Sequence, residues 1–128
     1  MNAIEIRNLT KTFGNKQALK GLNMTVPKGA IYGLIGENGS GKSTTEKIIC
    51  GLIHKDSGTV KLCGQEHINA DIRANMGVLI ESPGCFPIFS VWENMQLQAD
   101  NLGIKNAKQE IVKILKTVRM EGAAGNKF

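Results

Sequence analysis

Apolar and polar positions alternate in the first part of the chain and then give way to longer apolar runs. Residues 3–9 alternate as a half-buried strand does, and a turn at Gly14-Asn15 separates them from residues 18–26, whose pattern is mixed. Residues 30–35 form a continuous apolar run, which is typical of a strand buried on both faces of a sheet. Two later stretches also have the composition of short strands: residues 59–63 and 76–80.

The last third of the chain has the spacing of helices. Ser90 followed by Glu93 predicts a capping box, and Asn106 with Gln109 predicts a second one. Behind each box, apolar residues recur on one helical face: Trp92, Met95, Ala99 and Leu102, then Ile111, Ile114, Leu115 and Val118. The order of these patterns predicts an α/β part followed by a helical hairpin.

Composition narrows the class of protein. Apolar residues make up 41% and charged residues 21%, and no apolar run is long enough to cross a bilayer. The net charge of +5 is spread over lysines without interleaved aromatic residues, so we expect a solvated surface and no nucleic-acid partner.

The histidines and cysteines give no sign of a metal site. His54 and His67 are too far apart in the sequence to form a chelating pair. Three unpaired cysteines and the absence of a signal-peptide pattern favour a reduced, cytosolic protein: Cys50, Cys63 and Cys85.

The most informative segment is the glycine-rich stretch that follows residue 35. It fits G-x-x-x-x-G-K-[ST], the phosphate-binding loop, and a helical pattern over residues 42–52 follows it. In this motif the glycines let backbone N–H groups surround an anion. Lys42 would place a cation on the β- and γ-phosphates, and the Ser43 hydroxyl would ligate Mg²⁺. We predict a nucleotide phosphate site formed by these residues: Gly36, Asn38, Gly39, Ser40, Gly41, Lys42, Ser43 and Thr44.

The segments around the loop resemble those of ABC-transporter ATP-binding subunits. They are residues 9–14 (LTKTFG), 18–23 (ALKGLN), 51–53 (GLI) and 57–60 (SGTV), in register with the family over nearly the whole chain. The resemblance implies an α/β fold with a P-loop NTPase core, an antiparallel β-subdomain and the start of a helical subdomain. It also implies ATP and Mg²⁺ as the ligands of the loop.

Two positions gain a role from the resemblance. Phe13 matches the aromatic residue that stacks on adenine, usually a tyrosine in the family; an ordinary core aromatic is the alternative. Glu81 stands where most members have a glutamine that meets Mg²⁺ or its water, so Glu81 is a candidate metal ligand and, with Lys42, a candidate catalytic residue. A plain surface carboxylate is the alternative for Glu81. A glutamate at this position resembles the subgroup of bacitracin and lantibiotic exporters, and this resemblance implies export of a peptide antibiotic.

Thr45-Glu46 also departs from the family, which more often has apolar residues at these two positions.

The family's later motifs are not found in this chain: the signature loop, the acidic strand with its catalytic glutamate, and the switch histidine. We expect residues 1–89 to form the β-subdomain and the P-loop part of the core, and residues 90–128 to begin the helical subdomain. Such an incomplete domain is expected to bind ATP weakly without turnover. Residues 31–35 would expose an unpaired apolar edge and favour self-association.

In the intact protein the resemblance implies an ATPase on the inner face of the cell membrane that drives export. Its partners would be a membrane permease and a second ATP-binding subunit. Two other functions stay open from the loop alone. One is another P-loop NTPase, such as a kinase or a GTPase, for which Asn126-Lys127 is a fragment of the guanine-selective Asn-Lys-x-Asp segment. The other is a module that holds a nucleotide without hydrolysing it.

Overall fold

The computed structural model describes residues 1–66 and 69–127, so His67 lies outside the described residues. The chain divides into a first unit, Met1–Ser82, and a second unit that begins at Pro83. Among its described residues, the first unit contains three strands and two helices: β1 (Asn2–Phe13), β2 (Lys16–Pro27), α1 (Lys42–Ile49), β3 (Ser57–Leu62) and α2 (Ala70–Ala74). The second contains two helices and a 3-10 turn: α3 (Val91–Asn101), α4 (Ala107–Thr117) and Glu121–Ala123.

The three strands form one antiparallel sheet in the order β2-β1-β3. Ile6 and Leu9 of β1 are both fully buried, although strict alternation would place residues three apart on opposite faces. A shift of register between them, with Asn8 at φ 49°, adds the extra residue that returns Leu9 to the core face. Ile48 and Ile49 of α1 complete this core, which packs the helix onto the sheet.

Two predicted strands are not formed. Residues 30–35 and 76–80 join no hydrogen-bonded ladder within the described part of the chain, and most of their side chains are exposed. Ile31 is fully exposed and Ile35 is 95% exposed. A strand needs a neighbouring strand to satisfy its N–H and C=O groups, and the apolar pattern alone does not supply one. The predicted helix over residues 42–52 also ends earlier, at Ile49.

The first predicted capping box is confirmed in the second unit. The Ser90 Oγ accepts a hydrogen bond from the Glu93 N–H at 3.2 Å, and Glu93 Oε2 accepts one from the Ser90 N–H at 2.7 Å. The second box is wrong, because Asn106 makes no side-chain cap bond. Its ψ of 40° departs from the extended conformation that places a capping side chain.

Helices α3 and α4 pack through only part of their predicted faces. Ala99, Ile111 and Leu115 are buried, whereas Ile114 and Leu102 remain largely exposed. No helix in the described ranges has both the length and the apolar character needed to cross a membrane.

Candidate functional site

The glycine-rich loop leads directly into α1, whose first turn lacks the usual caps. Gly41 is the N-cap, with φ 96° in the left-handed region, and it has no side chain to bond the free N–H groups. The Thr45 N–H is the first to reach back, to the Gly41 carbonyl at 2.8 Å. The N–H groups of Lys42, Ser43 and Thr44 therefore have no intrahelical acceptor. The first turn carries no acidic residue, so the positive end of the helix is available to an anion.

Two glycines of the loop have close neighbours. A Cβ on Gly36 would lie 2.6 Å from the Ser40 Oγ. A Cβ on Gly41 would lie 2.7 Å from the carbonyl oxygen of Ala18 on β2. The loop thus folds closely on itself at one end, where the Ser40 hydroxyl can rotate away, and against the backbone of β2 at the other, where only glycine fits.

Lys42 lies across this loop. Its Nζ donates to the carbonyl of Gly36 at 2.5 Å and to that of Glu37 at 2.7 Å, and it is 3.5 Å from the Ser40 Oγ. All three partners are neutral oxygens, so they orient the ammonium group without neutralising its charge. A cation held in this way at a helix N-terminus suits a phosphate ligand.

Most of the predicted residues come together around a cavity of about 260 Å³. Its lining comprises the predicted Phe13, Asn38, Gly39, Gly41, Lys42, Ser43 and Thr44, together with Lys16 and Ala18. The two remaining loop residues, Gly36 and Ser40, do not line the cavity but shape the loop through their mutual contact. The cavity therefore combines a helix N-terminus, two lysines and one aromatic ring, which fits a phosphate chain attached to a flat base.

Lys16 was not predicted as a site residue. It pairs with Phe13 across the turn between β1 and β2, and the Gly14-Asn15 turn was visible in the sequence. Residues that flank a two-residue hairpin turn lie opposite each other, so the turn places Lys16 beside Phe13 at the same cavity.

Phe13 is 48% exposed, so it is not an ordinary core aromatic. The Lys11 Nζ lies 5.3 Å from the centre of its ring. Asp56 ties this end of β1 in place: its Oδ1 is 2.9 Å from the Lys11 Nζ, and its Oδ2 accepts the Thr12 N–H at 2.7 Å. The hydrogen bonds from Lys11 and then Thr12 hold the pKa of the Asp56 carboxyl below its usual range. Asp56 was not singled out from the sequence.

Glu81 is not among the residues that line the cavity. Its Oε1 forms an ion pair with the Lys47 Nζ of α1 at 3.0 Å. Ser43 does line the cavity, and no cluster of three His, Cys, Asp or Glu residues that could hold a metal occurs among the described residues. Mg²⁺ commonly binds through few protein oxygens plus phosphate and water, so the Ser43 hydroxyl fits such an ion beside a bound phosphate.

Thr45 accounts for one departure from the family pattern. Its side chain is buried, with 1% of its surface exposed, and its Oγ1 donates to the Gly41 carbonyl at 2.9 Å. The hydroxyl is satisfied within its own turn, so a threonine is tolerated at a position that is more often apolar. The neighbouring Glu46 is exposed. Burial, and to a lesser extent the Glu46 carboxylate, raise the pKa of the Cys50 thiol.

These features define a phosphate-loop unit built on a small antiparallel sheet. The sequence model of the ABC transporter family matches residues 19–128, and the chain therefore belongs to that family. This membership excludes the kinase and GTPase alternatives. The fold is the α/β fold of an ABC ATP-binding domain, with its antiparallel β-subdomain.

Curated relatives include transport ATP-binding proteins. The lantibiotic transport ATP-binding protein SrtF of Streptococcus pyogenes is 39% identical over 104 residues, which are 81% of this chain and 45% of SrtF. The bacitracin transport ATP-binding protein BcrA of Bacillus licheniformis is 34% identical over 116 residues, which are 88% of this chain and 38% of BcrA. The chain thus spans less than half the length of these relatives.

Solved structures agree with this assignment. An ATP-binding subunit of an ABC transporter superposes with a TM-score of 0.80 at 26% identity, covering 98% of this chain and 54% of the other. An ATP-binding cassette of an ABC transporter, MJ1267, superposes with a TM-score of 0.81 at 27% identity, covering 99% and 58%. The chain accordingly has the fold of a little over half of each of these domains.

Proposed function

We propose that this chain binds ATP-Mg²⁺ through its phosphate loop, as the nucleotide-binding part of an ABC-transporter ATP-binding subunit. The observation that carries the proposal is the uncapped N-terminus of α1, which meets Lys42 and Phe13 at one cavity. Free N–H groups and an ammonium group bind the phosphates, and an exposed phenyl ring stacks on the adenine.

Each residue of the site would have its own role in binding ATP-Mg²⁺. The N–H groups at the start of α1 and the Lys42 ammonium bind the β- and γ-phosphates and withdraw charge from them. Lys16, on the other wall, adds a second positive charge. The Ser43 hydroxyl and the Glu81 carboxylate would hold Mg²⁺ or its water. Mg²⁺, when bound, neutralises charge that develops on the phosphate oxygens.

For the intact protein we propose an ATPase that drives export of a peptide antibiotic through a membrane permease. Membership of the ABC family supports transport, and the similarity to SrtF and BcrA, with Glu81, supports a peptide antibiotic. In this arrangement residues 1–89 supply the β-subdomain and part of the ATP-binding core. Residues 90–128 begin the helical subdomain that contacts the permease. The subunit would lie on the inner face of the cell membrane and pair with a second ATP-binding subunit.

This chain by itself is expected to hold ATP weakly and not to hydrolyse it. Hydrolysis needs a residue that positions the attacking water and carboxylates that hold the metal. The cavity lining contains no acidic side chain, and the predicted carboxylate, Glu81, is paired with Lys47. Residues 31–35 form no strand edge, but the exposed apolar side chains of Ile31 and Ile35 still support self-association of the chain.

The test is calorimetry of ATP-Mg²⁺ binding to the chain and to Lys42→Ala, with GTP as competitor. Loss of a charged hydrogen-bond donor should weaken binding about tenfold or more. Lys61→Ala is the matched control, because it removes the same charge from an exposed position on β3. Equal affinities for the native chain and Lys42→Ala would refute the site, and phosphate release that depends on Lys42 would refute the absence of turnover.

A further inference from the structure

The ion pair between Lys47 and Glu81 places a candidate metal ligand against α1. The Lys47 Nζ and the Glu81 Oε1 are 3.0 Å apart. Ser43, the other candidate metal ligand, is four residues before Lys47 on the same helix. Residues at this spacing share one helical face, one turn apart. The Glu81 carboxylate is thus bound to a lysine that stands one turn along the same helical face from Ser43.

The backbone around Glu81 favours this placement. Glu81 has φ 64°, in the left-handed region, and the Ser82 N–H bonds to the Ile80 carbonyl at 2.8 Å across it. The chain therefore turns tightly at Glu81, directly after residues 76–80. A turn centred on Glu81 sets the direction of its side chain, and the ammonium of Lys47 holds the carboxylate there.

We propose that Lys47 competes with Mg²⁺ for the Glu81 carboxylate. This inference rests on the proposed function, since it assigns a role to Lys47 at the same metal site. A glutamine at position 81 has no charge for Lys47 to pair with, whereas a glutamate does. The pairing with Lys47 therefore weakens the attraction of the Glu81 carboxylate for Mg²⁺.

The size of the effect follows from the exposure of the pair. The side chains of Lys47 and Glu81 are 37% and 64% exposed, so water screens their attraction. Exposed pairs of this kind shift an equilibrium by about two- to fivefold. Lys47 would accordingly reduce Mg²⁺ affinity by a factor in that range rather than block the metal.

The experiment measures the ratio of ATP affinities with Mg²⁺ and with EDTA, for the full chain and its variants. Lys47→Ala should raise this ratio about two- to fivefold. Glu81→Gln should cancel the effect, so that Lys47→Ala in that background leaves the ratio unchanged. Lys47→Arg keeps a cation opposite Glu81 and should retain the native ratio.

Other outcomes separate the two proposals. If Lys42→Ala abolishes ATP binding but Lys47→Ala leaves the ratio unchanged or lowers it, the role of Lys47 is refuted and the nucleotide site stands. If Lys47→Ala raises the ratio equally with glutamate or glutamine at position 81, the effect is one of general charge and the role is again refuted. If the native chain and Lys42→Ala bind ATP alike, the proposed function fails, and the role of Lys47 fails with it.

Discussion

Replacing Gly41 with alanine tests whether the phosphate loop is fixed by its packing against β2. Gly41 has φ 96°, which strains any residue with a Cβ. The added Cβ would also lie 2.6 Å from the Leu19 Cδ2 and 2.7 Å from the Ala18 carbonyl oxygen. The leucine side chain has some freedom to move, but the Ala18 carbonyl belongs to the backbone of a strand that is paired with β1.

The expected loss of stability has two parts. The left-handed conformation costs a non-glycine residue about 1–2 kcal/mol. Forcing a methyl group against a packed backbone costs about 1–3 kcal/mol more. The sum, about 2–5 kcal/mol, is a large share of the roughly 5–15 kcal/mol that stabilises a typical domain.

Gly39 provides the matched control in the same loop. Its φ is 82°, close to that of Gly41, but a Cβ there would meet only the Lys16 Nζ, at 3.7 Å, within 4 Å. Gly39→Ala should therefore lose only the conformational part, about 1–2 kcal/mol. The difference between the two variants isolates the contact with β2.

Urea unfolding followed by circular dichroism measures both variants against the native chain. We expect Gly41→Ala to be the less stable variant by about 1–3 kcal/mol. Equal losses would refute the reasoning, because they would show that the loop accepts a methyl group beside Ala18 without resistance.

Three further predictions concern the sheet, the helices and the apolar run. Asp56→Asn should be less stable than the native chain at pH 7, and this deficit in urea should shrink as the pH falls below about 4, because the lowered pKa of the carboxyl makes its stabilisation present above the unfolded pKa and lost as the pH falls through the folded one; a deficit that does not change with pH would contradict this. Ser90→Ala should lower the free energy of unfolding by about 1 kcal/mol in thermal unfolding, and Asn106→Ala should leave it nearly unchanged, because of these two residues Ser90 alone caps its helix. Equal losses for the two variants would show that Asn106 also caps its helix. Ile31→Lys with Ile35→Lys should reduce self-association in sedimentation velocity, and a native chain that is monomeric at high concentration would refute the exposed apolar run as an interface.

Features set by neighbouring residues could be predicted from the sequence. The loop, the start of α1 and the Ser90–Glu93 capping box depend on a few consecutive side chains and their backbone. Residues 30–35 were predicted as a strand for their apolar pattern, but a strand also requires a partner, which the pattern does not report. The bulge at Asn8 was likewise missed, because it is visible only when β1 pairs with its neighbours.

Contacts between distant residues could not be predicted. Asp56 bonds the Thr12 N–H from 44 positions away, and Lys47 pairs with Glu81 across 34 positions. A lysine or an aspartate on the surface carries no local sign of its partner, so these residues resemble any solvated charge until the fold is known. The pairing of Lys16 with Phe13 is local by contrast, so the two-residue turn between them was enough to predict it, although Lys16 was missed.

The phosphate loop is anchored from the side of the β-subdomain. Gly41 lies against Ala18 of β2, Thr45 is buried behind it, and Ile48 and Ile49 join the core of the three-stranded sheet. In the run at residues 31–35, Leu34 is partly buried and packs against that core, whereas Ile31 and Ile35 are exposed. Nucleotide binding and self-association should therefore be separable: charged substitutions at Ile31 and Ile35 should disperse oligomers while ATP affinity stays within about twofold. If both properties are lost together, the exposed residues of the run also support the loop, and the anchoring by β2 is insufficient.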